Sequence, residues 1–472
     1  LPFSVPKKYH GKTGPQPFVN SLKKQGNDLG SHPAKGEDMV SSNNKDSRSQ
    51  KVFCLLFLLI FTWGSFGCAA AKRPYPPLAP DKGDLTPWGA VDISNADMHA
   101  DDSFKAQILE GMRKRLELTS QQDPEDKIIY QVLLISGGGS VGAYGAGLLT
   151  GWTATGRRPE FEVVTGISTG ALMATFAFLG PDYDHVLELY SQVTKKDIFK
   201  NIGFIRGLIE KNSLYDSQPL QDTIASLIDE NTLKAVAEVY KQGRRLFIGT
   251  TNMDTNTFTV WDMGAIAASD RPGKLERYRK IILASAAFPI FFPPAYFMVE
   301  ENGQQFSQMH MDGGLRESVF YFDFVEYLTE AEQALKIEQD QYASEVYLLH
   351  NGQLYARQEK IPVKPKVTEI AKSSVKALAR KNTLSSIYRI YVQAMIHGVN
   401  FNIAFVPTEF DLPESSLEFD QKIMQQLFNL GHDMAIQGTA WQRQEAPEDP
   451  AERLRRIDPM EAIDPFDSKP KS

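Results

Sequence analysis

The chain has 472 residues, with 51 Lys+Arg against 58 Asp+Glu and a formal net charge of −7. That length exceeds one ordinary core and suits a large α/β domain with tails and an annex. The acidic balance, without a long basic tract, argues against nucleic-acid binding. Both cysteines, Cys54 and Cys68, lie near the N-terminus. The rest of the chain therefore has no disulfide, no thiolate metal site and no cysteine nucleophile.

Residues 1–51 are polar and aperiodic and read as a disordered leader. Met39 lies at a suitable distance before the next segment, so residues 1–38 read as an over-extended start or a leader of no structural role. Residues 52–68 form an apolar run behind Lys45, Arg48 and Lys51, which is the pattern of an export signal. The fifteen residues from Val52 to Phe66, almost wholly apolar, span roughly 22 Å as a helix, short of a roughly 30 Å hydrocarbon core. Ser65-Phe66-Gly67-Cys68-Ala69 resembles a bacterial lipobox with Cys68 as the lipidated residue, although Ser65 stands where leucine is usual. A plain signal or anchor helix is the alternative. Residues 69–100, rich in proline, read as a semi-rigid tether.

An α/β body is expected over 101–330. A helix is predicted over 103–118, from apolar residues four apart. The run Ile128 to Ile135 reads as a buried strand, followed by Ser136-Gly137-Gly138-Gly139-Ser140-Val141-Gly142 and a small-residue helix. A second strand, Phe161 to Thr165, runs into Gly166-Ile167-Ser168-Thr169-Gly170 and another helix. Strands are expected at 245–250 and 258–262, and a short helix at 281–287. A hairpin at 296–311 turns at Asn302-Gly303 and delivers Asp312-Gly313-Gly314. Residues 331–441 read as a C-terminal α/β extension packed on this domain, with strands at 345–349 and 402–406 and helices at 367–380, 385–397 and 417–435. Residues 442–472 read as a disordered tail.

Gly166-x-Ser168-x-Gly170 fits a nucleophilic serine on a tight strand-to-helix turn, or a plain structural turn. The glycines 137–139 before a helix leave N–H groups free for a developing oxyanion. Gly137-x-Gly139-x-x-Gly142 also matches a dinucleotide fingerprint. Its acid, however, would have to be Glu160 or Glu162, at the wrong end of the second strand. Ser168 needs a base. His350, His397 and His432 are available but sit in no motif, whereas Asp312 ends a hairpin strand and is followed by two glycines. Burial there would raise its pKa toward that of a working base. His310-Met311-Asp312 lacks the further ligands of a metal site.

In this order, Gly-Gly-Gly-Ser-Val-Gly (137–142), Gly-Ile-Ser-Thr-Gly (166–170) and Asp-Gly-Gly (312–314) resemble the patatin-like phospholipase family. Asn212-Ser213-Leu214-Tyr215-Asp216 and the stretch from Ala284 to Pro294 also resemble it, and the likeness covers roughly 130–320. It implies a three-layer α/β/α sandwich around a mostly parallel sheet. It also implies a Ser168–Asp312 dyad without histidine, an oxyanion hole at Gly137, Gly138 and Gly139, and motif glycines at Gly142, Gly166, Gly170, Gly313 and Gly314. The reaction would be hydrolysis of a membrane-lipid ester through an acyl-enzyme, with no cofactor or metal. Val141 stands where many members carry Arg or Lys, which bears on rate or headgroup preference. With the lipobox, the expected location is the bacterial envelope, exported and membrane-anchored. A generic Ser–Asp–His esterase and a non-catalytic nucleotide- or lipid-binding envelope protein are the rivals. Lys372, Lys376 and Arg380, four apart, read as a solvated helix face or a headgroup-facing stripe.

Overall fold

The computed structural model describes residues 73–78, 85–93, 102–120, 128–201, 213–321, 342–355, 362–446 and 452. The leader, the signal-like stretch with Cys68, residues 202–212 and most of the tail lie outside them. All described residues belong to the unit Cys68–Ser472.

A 10-stranded sheet organises this unit. Its strands are β1 (Ala90–Ile93), β2 (Ile128–Ile135), β3 (Val163–Gly166), β4 (Arg245–Asn252), β5 (Thr257–Asp262), β6 (Ala295–Glu301), β7 (Gln304–Asp312), β8 (Tyr342–His350), β9 (Asn400–Phe405) and β10 (Gln442–Gln444). They run in the order β1-β5-β4-β3-β2-β8-β9-β10. The middle block, β4-β3-β2-β8-β9, is wholly parallel, and antiparallel strands close both edges. The hairpin β6–β7 joins the sheet through β4.

The principal helices are α1 (Asp102–Ser120), α2 (Gly142–Ala154), α3 (Thr169–Leu179), α4 (Gln218–Leu227), α5 (Glu230–Lys241), α6 (Lys274–Ser285), α7 (Val367–His397) and α8 (Gln421–Ile436). Leu133 and Ile135 of β2 point into an apolar cluster that includes residues of α2, α3, α6 and α8. Val132 and Leu134 point the other way, into a cluster with Met112 of α1 and Ile387, Ile390 and Tyr391 of α7. A strand covered on both faces is apolar on both, which is why β2 reads as a continuous apolar run from Val132 to Ile135. The result is three layers with a central, mostly parallel sheet.

The structure departs from the expected boundaries in three places. β8 lies between β2 and β9, so residues from 342 onward complete the middle of the sheet and are no annex packed on a finished domain. Within the expected tether, β1 pairs with β5, Ser307 donates its N–H to the carbonyl of Pro76 (3.0 Å), and Arg73 donates to Asp254 (2.8 Å). Proline is tolerated along such an edge because its carbonyl still accepts. The expected tail begins with β10, where Phe401 pairs with Gln444.

Candidate active site

The site assembles at the carboxyl ends of β2 and β3 and the end of β7. β3 pairs with β4 only from Arg245 to Ile248; beyond that point β7 takes the place beside β4, with Asp312 opposite Thr250. The end of β7 therefore meets the end of β3 almost head-on. This brings the serine after β3 and the carboxylate ending β7 together.

Ser168 adopts φ 54°, ψ −121°, a left-handed conformation outside the regular regions, at the start of α3. Such strain in a non-glycine residue persists only where the surroundings over-determine it, and is characteristic of a nucleophile turn. The flanking glycines are explained by contact. A Cβ on Gly166 would lie 2.5 Å from the carbonyl oxygen of Gly170, and one on Gly170 would lie 2.3 Å from that of Ile135. Any side chain at either position would push the elbow off the sheet.

Two groups hold the turn from the opposite side. The Ser168 N–H donates to Ser285 Oγ (3.0 Å), and Ser285 donates in turn to the Gly249 carbonyl (2.7 Å). The sequence alone does not mark Ser285, since nothing in a run of alanines distinguishes one serine as the elbow's anchor. Ser285→Ala leaves two buried polar groups without partners, which costs about 1–3 kcal/mol. The expected result is a lower melting temperature and a reduced kcat with KM little changed. An unchanged kcat would remove Ser285 from any positioning role.

Asp312 is buried and receives a side-chain hydrogen bond from Ser168 and the Gly314 N–H at 2.8 Å. Burial pushes its carboxyl up to about 6, while the two hydrogen bonds pull the other way. Gly313 is constrained by packing, because a Cβ there would lie 2.6 Å from the Gly249 carbonyl oxygen. Asp312 N–H is held by the Ala287 carbonyl (3.0 Å). Ile290, three residues further along that wall, also sits at a left-handed φ of 72°.

The glycine loop divides into unequal parts. Gly137 lies against Ser168, where an added Cβ would come 3.1 Å from Ser168 Cβ. Its N–H, however, donates to the Ser318 carbonyl (3.2 Å), which corrects the expectation that all three glycines offer free donors. Among the described residues, the N–H groups of Gly138 and Gly139 have no such partner. Gly142 follows at the start of α2, with Thr169 Cγ2 2.0 Å from where its Cβ would be. Val141 is buried in the core and places no cation near the loop.

Among the described residues, no histidine completes a triad at this serine. His350 Nδ1 lies 3.1 Å from Ser136 Oγ, and burial lowers its pKa to about 4. His310 bonds Thr250 Oγ1 through Nδ1 (3.0 Å), His432 lies 3.5 Å from Asp433, and His397 is exposed at the end of α7. Ser136 donates to the Gly137 carbonyl (2.8 Å), and Asn351 Nδ2 donates to the Ser136 carbonyl (2.9 Å). Ser136, His350 and Asn351 thus brace the root of the glycine loop. Among the described residues there is no group of three or more His, Cys, Asp or Glu able to hold a metal.

A parallel sheet carrying a strained serine at the end of one of its strands is the frame of an ester hydrolase. Residues 133–324 match the family model for patatin-like phospholipase, and the chain carries a domain of that family, whose members are lipid ester hydrolases. No curated protein matches the chain. Solved structures similar to it include VipD from Legionella pneumophila, at 10% identity over 70% of this chain and 74% of that one, with a TM-score of 0.28. Human GIVD cytosolic phospholipase A2 matches at 9% identity over 82% and 66%, with a TM-score of 0.29. The type III effector ExoU of Pseudomonas aeruginosa matches at 11% identity over 67% and 54%, with a TM-score of 0.19.

Proposed function

We propose that this protein is a serine lipid acyl hydrolase that cleaves carboxylic esters of membrane lipids through a Ser168–Asp312 dyad. The observation that carries the reading is the strained Ser168 hydrogen-bonded to a buried Asp312, with no histidine at either group among the described residues. Asp312 takes the Ser168 Oγ proton as Oγ attacks the ester carbonyl. The N–H groups of Gly138 and Gly139 stabilise the oxyanion, and the proton passes to the departing alcohol. An acyl-enzyme remains. Water, deprotonated by the same carboxylate, then releases the fatty acid.

Room for the substrate lies beside this loop. The Ser416 carbonyl accepts the Ser140 N–H (2.8 Å), and its neighbours Ser415 and Leu417 line a cleft of about 470 Å³. Phe199, Tyr215, Phe291 and Phe419 give this cleft aromatic walls, against which an acyl chain could pack, and Lys195, Glu418 and Asp420 give it charged ones.

Covalent labelling by a lipid-like fluorophosphonate tests the reading. Wild type is expected to label, and Ser168→Ala and Asp312→Asn are expected not to. Labelling that survives Asp312→Asn but is lost on replacing His350 would favour the triad esterase. A folded wild type that neither labels nor releases fatty acid would favour the binding protein.

The same proposal extends to location: export, with lipid on Cys68 holding the enzyme at a bacterial envelope membrane. It rests on the lipobox-like Ser65 to Ala69 alone. Release of Cys68→Ser from the membrane fraction is the expected result, and retention would end the lipoprotein reading.

A further inference from the structure

We infer that the first turns of α7 and the segment leading into it form a docking surface for an anionic lipid bilayer. Every residue from Ser374 to Ala379 is exposed, so this half of the helix projects from the body. Val367 is 85% exposed and Leu378 71%, and Val363, Ile370 and Val375 are about half exposed or more. At 100° per residue, Val367, Ile370, Val375 and Leu378 share an arc of about 140°. At the same spacing, positions 372, 376 and 380 fall on the opposite side of the helix and hold two lysines and Arg380, whose Nη2 donates to the Leu354 carbonyl (2.8 Å).

The charge decides the occupant. Between 363 and 381 the sequence holds Lys364, Lys366, Lys372, Lys376, Arg380 and Lys381 against one acid, Glu369, in a chain whose net charge is −7. An apolar stripe backed by a basic face is the composition of a helix lying in the plane of a negatively charged lipid interface. Among the described residues no helix is long and apolar enough to cross a membrane, so this helix lies on the surface.

Its second half is fastened to the catalytic loops. Asn382 Nδ2 donates to the Gly314 carbonyl (3.2 Å), and Thr383 Oγ1 donates to Ser318 Oγ (2.8 Å). The Ser318 carbonyl in turn holds the Gly137 N–H. Docking through α7 would therefore set the loops on either side of Ser168 at a fixed place against the bilayer. Only this consequence rests on the lipid-hydrolase reading; the docking surface itself does not.

The test uses the full chain in a Cys54→Ser/Cys68→Ser/Ser168→Ala background, which carries no hydrolytic nucleophile. An environment-sensitive fluorophore is placed on Leu378→Cys or, as a control, on Glu238→Cys of α5. Vesicles containing phosphatidylglycerol are expected to shift the Leu378 label's emission to the blue and leave the Glu238 label unchanged. The apparent affinity should be at least tenfold lower in about 1 M salt than in about 0.15 M, because screening removes the basic contribution. No shift at Leu378 would overturn the inference. So would a shift without vesicles that grows with protein concentration, which would assign the face to a second copy. In the Ser168 enzyme, Val367→Ser/Ile370→Ser/Leu378→Ser should lower the ratio of vesicle to monomeric short-chain phospholipid hydrolysis about tenfold. An enzyme inactive on both substrates, with the label shift intact, would refute the hydrolase reading and leave the docking surface standing.

Discussion

Asp312→Asn is expected to lower turnover by about 10²–10⁴-fold while making the protein more stable at neutral and alkaline pH. The two effects share one cause. Burial raises the carboxyl from 3.8 to about 6, so the native state holds a proton that the unfolded chain has already released between those values. Where the native state binds more protons than the unfolded state, stability falls as pH rises. Above pH ~6 the full cost, about 3 kcal/mol, is present; below pH ~4 it vanishes. The asparagine keeps an oxygen for the Gly314 N–H and carries no charge. Its melting temperature should therefore exceed wild type's at about pH 8 and converge with it near pH 4. For the same reason wild-type kcat/KM should fall as pH drops below about 6, where the base becomes protonated. An Asn variant that keeps its activity would exclude Asp312 as the base. One that is inactive but no more stable would show that the carboxylate is better solvated than its surroundings suggest.

Gly147→Val is expected to give an insoluble or unfolded protein, in contrast to Ser168→Ala, which should fold normally. The helix after the glycine loop and the C-terminal helix meet backbone to backbone. A Cβ on Gly147 would lie 1.9 Å from the Phe428 carbonyl oxygen, one on Gly151 2.5 Å from that of His432, and one on Gly431 2.1 Å from that of Tyr144. Carbonyl groups of a helix cannot move aside as a side-chain tip can. A branched side chain must force α2 and α8 apart, at a cost of about 3 kcal/mol or more, a large part of the stability of an ordinary domain. Circular dichroism and expression of the soluble fraction would check this. A folded Gly147→Val protein would mean that α8 can shift freely, and that its contact with α2 does not hold the loop's helix in place.

Much of the site was legible because each part occupies a boundary that sequence marks strongly. β2 covers the span read from its apolar run, and the Asn302-Gly303 turn was enough to place Asp312 at a strand end. What failed was whatever depends on partners remote in sequence. The polar stretch from Lys274 to Lys280 hid the first half of α6. In the fold those charges serve neighbouring segments, with Arg279 donating to the carbonyls of Ile228 and Ala225 and Arg277 to that of Trp88. The sequence suggests two helices, 367–380 and 385–397, on either side of Lys381-Asn382-Thr383-Leu384. α7 is one helix of 31 residues whose polar middle reaches the loop after Asp312. The loss of Gly137 as a donor and the role of Ser285 depend on Ser318 and Gly249, and no spacing rule could have shown either.

The position of β8 in the sheet has a consequence for how the protein comes to life on a ribosome. Ser168 and Asp312 have both been synthesised before the strand that lies beside β2 exists. Until β8 and β9 emerge, β2 is an open, apolar edge, and neither the brace from His350 and Asn351 nor the Ser416 carbonyl is there to shape the glycine loop. At about 5–20 residues per second, that interval lasts on the order of 5–20 s. A nascent chain paused inside it would carry both residues of the proposed dyad and yet lack a shaped glycine loop, so ester cleavage is expected only after the C-terminal strands have joined.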